Sequence, residues 1–311
     1  MLRKNKFIKS LLLISLFFVV FLTACGNKSE GMEQTRSLTD TMGHKVEVPT
    51  QPKRVVGSYL EDYLVALGIK PVVQWSVKNG SGTQKYLKKQ LKNVPLIDYS
   101  LPYEAVTKAK PDLILMGTNS AVENGKYAQY EKIAPTYVVK NGTDVKWRSQ
   151  FMDVAKAVNK TDKAKSVLNK YDKKVASVKN ELKQKAAGKS VAVLWVTNNS
   201  AFIVSEKSAS GSLLYGDLGL KVPALVKEVS KKATADWSAV SLEKLAKLDA
   251  DYIFLVNSDK GASLFKDPLW QSIPAVKEGN LFQYGDDSSW QYKGPIAYSE
   301  MIDQVRKDIL K

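Results

Sequence analysis

Residues 161–187, TDKAKSVLNKYDKKVASVKNELKQKAA, constrain the fold more than any other stretch. Apolar side chains fall at Ala164, Val167, Leu168, Tyr171, Val175, Val178, Leu182 and Ala186. This spacing of threes and fours draws one stripe down a 3.6-residue helix, with lysines over the rest of the surface. Thr161 and Asp162 offer capping oxygens and Gly188 a stop. About 26 residues at a 1.5 Å rise make a rod of about 39 Å, long for a single domain. Either the rod lies on one domain's surface or it is a strut between two lobes.

Both flanks alternate strands and helices. Before the rod, a hairpin over 37–52 is followed by strands at 53–57, 69–75, 111–116 and 135–139 and helices at 59–67, 98–110 and 127–133. After it come strands at 190–196, 251–256 and 280–284, a short extension at 202–204, and helices at 211–217, 243–248, 270–276 and 294–310. Such alternation implies parallel-sheet α/β units. The halves also echo each other. LGIKP at 67–71 parallels LGLKVP at 218–223, and EAVTKAKPDLIL from Glu104 parallels EKLAKLDADYIFL from Glu243. In each phrase the glutamate precedes a strand aspartate, Asp112 or Asp251, by eight residues. Chance likeness of two α/β units is the competing reading. The paired echoes favour two lobes, over 37–142 and 188–311, joined by a lobe helix and strut over 143–187.

Residues 1–9 carry Arg3, Lys4, Lys6 and Lys9, and 10–21 are almost unbroken apolar residues, short for a membrane span. A basic start, a short apolar core and small residues at a cleavage point make an export signal over 1–24. LTAC at 22–25 looks like a bacterial lipobox, whose cysteine is lipidated and becomes the first mature residue. Cys25 is the only cysteine and so has no disulfide partner. Residues 25–36 read as a polar tether, which places the protein at the outer face of the cell membrane. An uncleaved anchor is the alternative.

The net charge is +16, and removal of the four signal cations leaves the mature chain near +12. These charges are mostly lysines spread along helices, not one aromatic-interleaved patch, so no nucleic-acid partner is expected. Enzyme chemistry is not expected either. His44 is the single histidine, and there is no phosphate-binding GxxxxGK[ST] loop and no cysteine pair.

A lipobox, TDTMGHKVEVP, PKRVVG, YEAVTKAKPDLIL, the rod and WSAVSLEKLAKLDADYIFL follow one another in that order. Over essentially the whole mature chain this resembles the iron-siderophore and cobalamin branch of ABC-transporter substrate-binding proteins, most of all the ferric-hydroxamate-binding lipoproteins. The resemblance implies an α/β fold of two lobes joined by one long helix, with the ligand cleft between the lobes and little closure on binding. It also implies that Glu104 and Glu243 dock, one per lobe, into arginine pockets on the two permease subunits. Stabilisation of a helix start by each carboxylate is the plainer alternative.

The cargo implied is an Fe³⁺-siderophore whose iron is wrapped by the organic ligand, so the protein supplies no metal ligand and holds no cofactor. The receptor is expected to be a monomer. Tris-catecholate complexes carry about three negative charges and want converging arginines. Beyond the signal there are only Arg36, Arg54, Arg148 and Arg306, of which Arg148 is the one placed for a cleft. Hydroxamate complexes, neutral or cationic, want aromatic walls. Ligands of open α/β sheets bind beyond the carboxyl ends of strands. That rule selects Tyr59, Trp75, Trp195, Phe202, Trp290 and Tyr292, with Trp290 in its polar loop the leading candidate and Tyr215 and Tyr127 weaker ones. Trp147, Trp237 and Trp270 read as packing residues. A catecholate, citrate or cobalamin receptor is the alternative within the class, with Lys78, Lys85 or Lys293 replacing the arginines. A surface adhesive module is the alternative outside it.

Overall fold

The computed structural model describes residues 34–77, 80–142 and 144–310. The signal, Cys25, most of the tether and Lys78 lie outside them. The first described element is strand β1 (Thr35–Thr39), which pairs antiparallel with β2 (Lys45–Pro49). Arg36 therefore belongs to a strand and not to the tether.

Three short parallel strands follow in the order β3 (Val55–Gly57), β6 (Leu113–Met116) and β7 (Thr136–Val138). Helices α1 (Glu61–Ala66), α2 (Tyr103–Lys108) and α3 (Lys126–Glu131) connect them. The strands are apolar on both faces because both are covered. Val55, Leu113, Leu115 and Tyr137 face the main core, while Val56, Ile114, Met116 and Val138 face a second cluster. The strand expected at 69–75 differs. It is β4 (Gln74–Ser76), paired in its own two-stranded sheet with β5 (Leu96–Asp98), a strand the sequence pattern did not reveal. Its partner ends on Asp98, the first residue of the helix expected at 98–110. Leu101 is left-handed at φ 50° and Pro102 is the N-cap, so that helix starts at Tyr103.

Helices α4 (Trp147–Ala157) and α5 (Thr161–Lys185) come next. The α5 rod of 25 residues buries Ala164, Tyr171, Val178 and Leu182, with Val167, Leu168 and Val175 half-buried beside them. Its N-cap is Lys160, and neither Thr161 nor Asp162 makes a capping bond. Packing of the stripe against α4 and the C-terminal helix holds the rod.

The second sheet runs in the order β10 (Trp237–Val240), β9 (Ser200–Val204), β8 (Val191–Thr197), β11 (Tyr252–Asn257) and β12 (Leu281–Tyr284). Strands β8, β11 and β12 are parallel, as expected. The expected short extension is instead β9, antiparallel to both β8 and β10. Asn198 and Asn199, both left-handed at φ 49° and 54°, close the two-residue turn whose twist suits a hairpin. Helices α6 (Ala224–Ser230), α7 (Leu242–Leu245), α8 (Pro268–Ser272), α9 (Pro274–Lys277) and α10 (Pro295–Ile309) complete the chain. None among the described residues is long and apolar enough to cross a membrane.

The internal echo is repeated in hydrogen bonds. Asp112 donates its N–H to the Arg54 carbonyl, 3.0 Å, and its carboxylate accepts from the Arg54 N–H, 2.9 Å. Asp251 does the same with Ser190, at 3.0 and 2.7 Å. Each aspartate thus pins the entrance of the neighbouring strand in its own sheet.

Candidate ligand cleft

One aromatic wall starts where β3 ends. Tyr59 takes φ 58°, a left-handed value unusual for a bulky side chain, and its residue surface is 42% exposed. The Trp75 ring on β4 lies 4.6 Å from it and the Tyr292 ring 6.2 Å. Tyr99, 57% exposed, extends the wall 6.4 Å beyond Trp75, and Tyr86 backs Tyr292 at 5.2 Å. Two acids brace it from beneath. Buried Glu61 accepts the Trp75 N–H at 2.7 Å and the Gln84 amide at 3.2 Å. Burial pushes its carboxyl up to about 7, against the pull of the Trp75 N–H.

The loop after β12 reaches this wall from the other sheet. Tyr292 donates its hydroxyl to the Thr83 carbonyl at 3.0 Å, and Asp286 forms an ion pair with Lys85. Asp62, next to Glu61, accepts from the Ile296 and Ala297 N–H groups of α10 at 3.1 and 2.9 Å and from the Tyr86 hydroxyl at 2.8 Å. A first-half carboxylate thereby caps the final helix. Gly294 permits the approach: at φ 146°, a β-carbon there would lie 2.3 Å from the Asp62 carboxylate.

A second aromatic row crosses the other sheet on one face: Trp195 on β8, Phe202 on β9 at 5.2 Å and Trp237 on β10 at 6.0 Å from Trp195. All three are half-buried, Trp195 and Trp237 against the main core. The Trp195 indole N–H donates to the Ser258 hydroxyl at 3.0 Å. Asp236, beside Trp237, bears on the first wall. Burial pushes the Tyr59 phenol up, and Tyr292, Glu61 and Asp236 add to the shift. The cavity between Tyr59, Gln84, Gln150 and Tyr292 is only about 30 Å³, a single water's worth.

Three expected ligand residues have other positions. Trp290 is fully buried, stacked on Phe254 at 4.3 Å and tilted against Tyr284 at 5.7 Å. Its loop folds back so that Asp286 and Asp287 meet solvent while the indole enters the core, and it presents no surface to a ligand. Arg148 is held by Asp217 at 3.1 Å and Asp172 at 2.8 Å, over the rings of Trp147 and Tyr171. It is a clasp between α4, α5 and the second half. Tyr215 donates to the Val191 carbonyl at 2.8 Å and packs between two clusters. Sequence reasoning missed Glu61, Tyr86, Tyr99 and Asp236, and it read Trp237 as packing alone. Trp147, by contrast, packs against Tyr171 and Tyr298 at 5.1 and 5.3 Å, as a lobe-to-strut residue should.

The other arginines are also engaged away from the wall. Arg36 donates to the Lys156 and Ala157 carbonyls at the end of α4, Arg54 to the Ala109 and Lys110 carbonyls at the end of α2, and Arg306 pairs with Glu181. His44 bonds Asp40 at 2.9 Å in the β1–β2 turn and stacks on Tyr127 at 3.6 Å. Among the described residues, no three His, Cys, Asp or Glu side chains gather as a metal site. Glu104 and Glu243 are both exposed, in the first turns of α2 and α7.

Two α/β halves, one long connecting helix and an aromatic wall at their meeting define a two-lobed binding protein. The chain belongs to the periplasmic binding protein family, whose sequence profile matches residues 57–288. Over 312 residues it is 29% identical to the iron(3+)-hydroxamate-binding protein FhuD of Bacillus subtilis, covering 96% of each chain. It is 32% identical to a protein of the same organism named "Probable siderophore-binding lipoprotein YfiY", covering 97% of this chain and 98% of that one. Among solved structures, Staphylococcus aureus SirA complexed with staphyloferrin B superposes with a TM-score of 0.73 at 28% identity, over 89% of this chain and 99% of SirA.

Proposed function

We propose that the chain is a receptor, lipid-anchored through Cys25 at the outer face of the cell membrane, that captures an Fe³⁺-hydroxamate siderophore and delivers it to an ABC permease. One observation carries the ligand class: the wall of Tyr59, Trp75, Tyr99 and Tyr292 has carboxylates beneath and beside it, while every arginine after the signal is engaged elsewhere. Ring faces and nearby acids favour a neutral or cationic complex over a tri-anionic one. The row Trp195, Phe202 and Trp237 supplies the facing surface. No residue need touch the iron, and no chemical step is required of the protein.

The test is tryptophan-fluorescence titration of the mature chain with ferrioxamine B, ferrichrome, a ferric catecholate, ferric citrate and cobalamin. Saturable quenching by the hydroxamates, with a weak response to the catecholate and citrate, is the expected outcome. Tighter binding of an anionic complex would overturn the ligand class and point to Lys293, exposed beside the wall, as an anion donor. No response to any of them would favour an adhesive module.

For delivery, Glu104 and Glu243 are the docking carboxylates, one on each half. Reversing either charge to lysine is expected to leave siderophore affinity unchanged and to abolish uptake by cells. Equal loss of affinity would remove the docking role.

A further inference from the structure

A cavity of about 470 Å³ opens on the second half of the chain and shares no residue with the aromatic wall. It lies between the β8–β9 turn at Asn199, the junction of β10 and α7 at Val240, Ser241 and Leu242, and the turn carrying Ser263 and Asp267. Its walls are fixed internally. The Asn199 side-chain oxygen accepts from the Ser263 hydroxyl at 3.1 Å and the Leu264 N–H at 3.0 Å, and Ser241 caps α7 through the Lys244 N–H. Among the described residues of a chain with 47 Lys and Arg, no cation lines this hollow, and Asp267 is its one charged lining residue. One Asp267 oxygen caps α8 through the Leu269 N–H at 2.8 Å; the other has no hydrogen-bond partner among the described residues. Lys244, the nearest lysine along the chain to Ser241, is turned away to Glu228 at 2.8 Å.

Glu243 stands on the same turn of α7 whose cap and first residue form the cavity wall. The Ser241 hydroxyl holds its carboxyl below the usual range, so it is ionised at neutral pH. We propose that this cavity receives a basic side chain of the permease subunit that Glu243 meets, with Glu243 at the rim and Asp267 inside as the two anionic contacts. The inference rests on the docking role of Glu243 and adds a socket to it. The volume falls in the range of binding pockets and leaves room for a long side chain with part of the segment bearing it. An acid-only concavity on a lysine-covered surface selects a cation from a partner. Because the socket is already formed, little ordering cost opposes docking.

The test compares three variants of the full chain in cells deleted for it, with ⁵⁵Fe-ferrioxamine B uptake as the readout and siderophore affinity measured on each purified protein. Asp267→Asn keeps the capping oxygen and removes the charge. Ser263→Trp, at an exposed position, fills the hollow. Glu243→Gln reports on docking itself. Uptake is expected to fall about tenfold for Ser263→Trp and severalfold for Asp267→Asn, as for loss of an interface anchor, with affinity unchanged. If only Glu243→Gln lowers uptake, the socket is wrong and the docking role stands. Full uptake in all three removes the docking role and the socket with it. Weakened siderophore affinity in the cavity variants would assign the hollow to the ligand and overturn the proposal.

Discussion

Trp290 and Tyr59 show at the residue scale how similar sequence signals lead to opposite positions. Trp290 is flanked by acids and polar residues, yet its indole is fully buried against Phe254, and its Nε1 has no partner in the described structure. Trp290→Ala is expected to cost about 3–5 kcal/mol of stability, as for other large core aromatics. Siderophore affinity of the folded protein should stay within about twofold; a denaturant melt and a titration read the two effects separately. Tyr59→Ala should do the reverse, weakening binding by about 1–2 kcal/mol with little change in the melt. Stable protein from Trp290→Ala with lost affinity would return the indole to the ligand. Composition of a loop does not reveal which side chain it turns inward, because that depends on a partner such as Phe254, some 36 positions away. That Tyr59 and Trp75 come together was legible from their places at strand ends, and the packing of Trp147 from its place at the start of a helix. Arg148 was misread for want of a view of Asp217, which claims it.

Elements were legible where one period governed them. The α5 stripe needed no tertiary information, and the Asp112 and Asp251 echoes located equivalent strand entrances. Strands β5 and β10 were not legible: three or four residues carry no period, and their pairing is long-range. The cap of α10 was equally hidden, since the donor helix and Asp62 are more than 230 residues apart. That cap gives a pH prediction. Burial pushes the Asp62 carboxyl up to about 7, against the Ala297, Tyr86 and Ile296 donors. An unfolded aspartate releases its proton near 4, so between about pH 4 and pH 7 the folded state holds the extra proton. The contribution of Asp62 to stability therefore declines as pH rises through that window. Asp62→Asn keeps an acceptor for α10 and removes the titration. Melting temperatures measured from pH 4.5 to 8 should decline less steeply with pH in this variant than in the parent. An unchanged slope would show that the buried carboxylate is ionised throughout, held by its three donors.

At the scale of the molecule, the question is how far the halves move when the ligand enters. The single chain crossing is a 25-residue helix with no proline or glycine to kink it. A second connection reinforces it. Helix α10 is capped by Asp62 from the first half and fastened to α5 by Lys174 to Asp303 at 2.6 Å and Arg306 to Glu181 at 2.9 Å. Arg148, Tyr171 and Lys179 all converge on Asp217, and one apolar core runs from Val46 through α4 and α5 to Ile309. Hinged closure would shear this core and break buried bonds together, whereas the aromatic wall needs only rotamer changes to grip a ligand. Spin labels at exposed Lys108→Cys and Lys247→Cys, one on each half, with Cys25 replaced, measure the motion directly. The distance distribution is expected to narrow on addition of ferrioxamine B while its mean moves by no more than about 2 Å, as in pre-organised complexes. Asp62→Ala, which frees the start of α10, should broaden the unliganded distribution and weaken binding through that added freedom. A large shift of the mean in the parent chain would overturn the strut, and an unchanged distribution in Asp62→Ala would leave α5 alone as what holds the halves together.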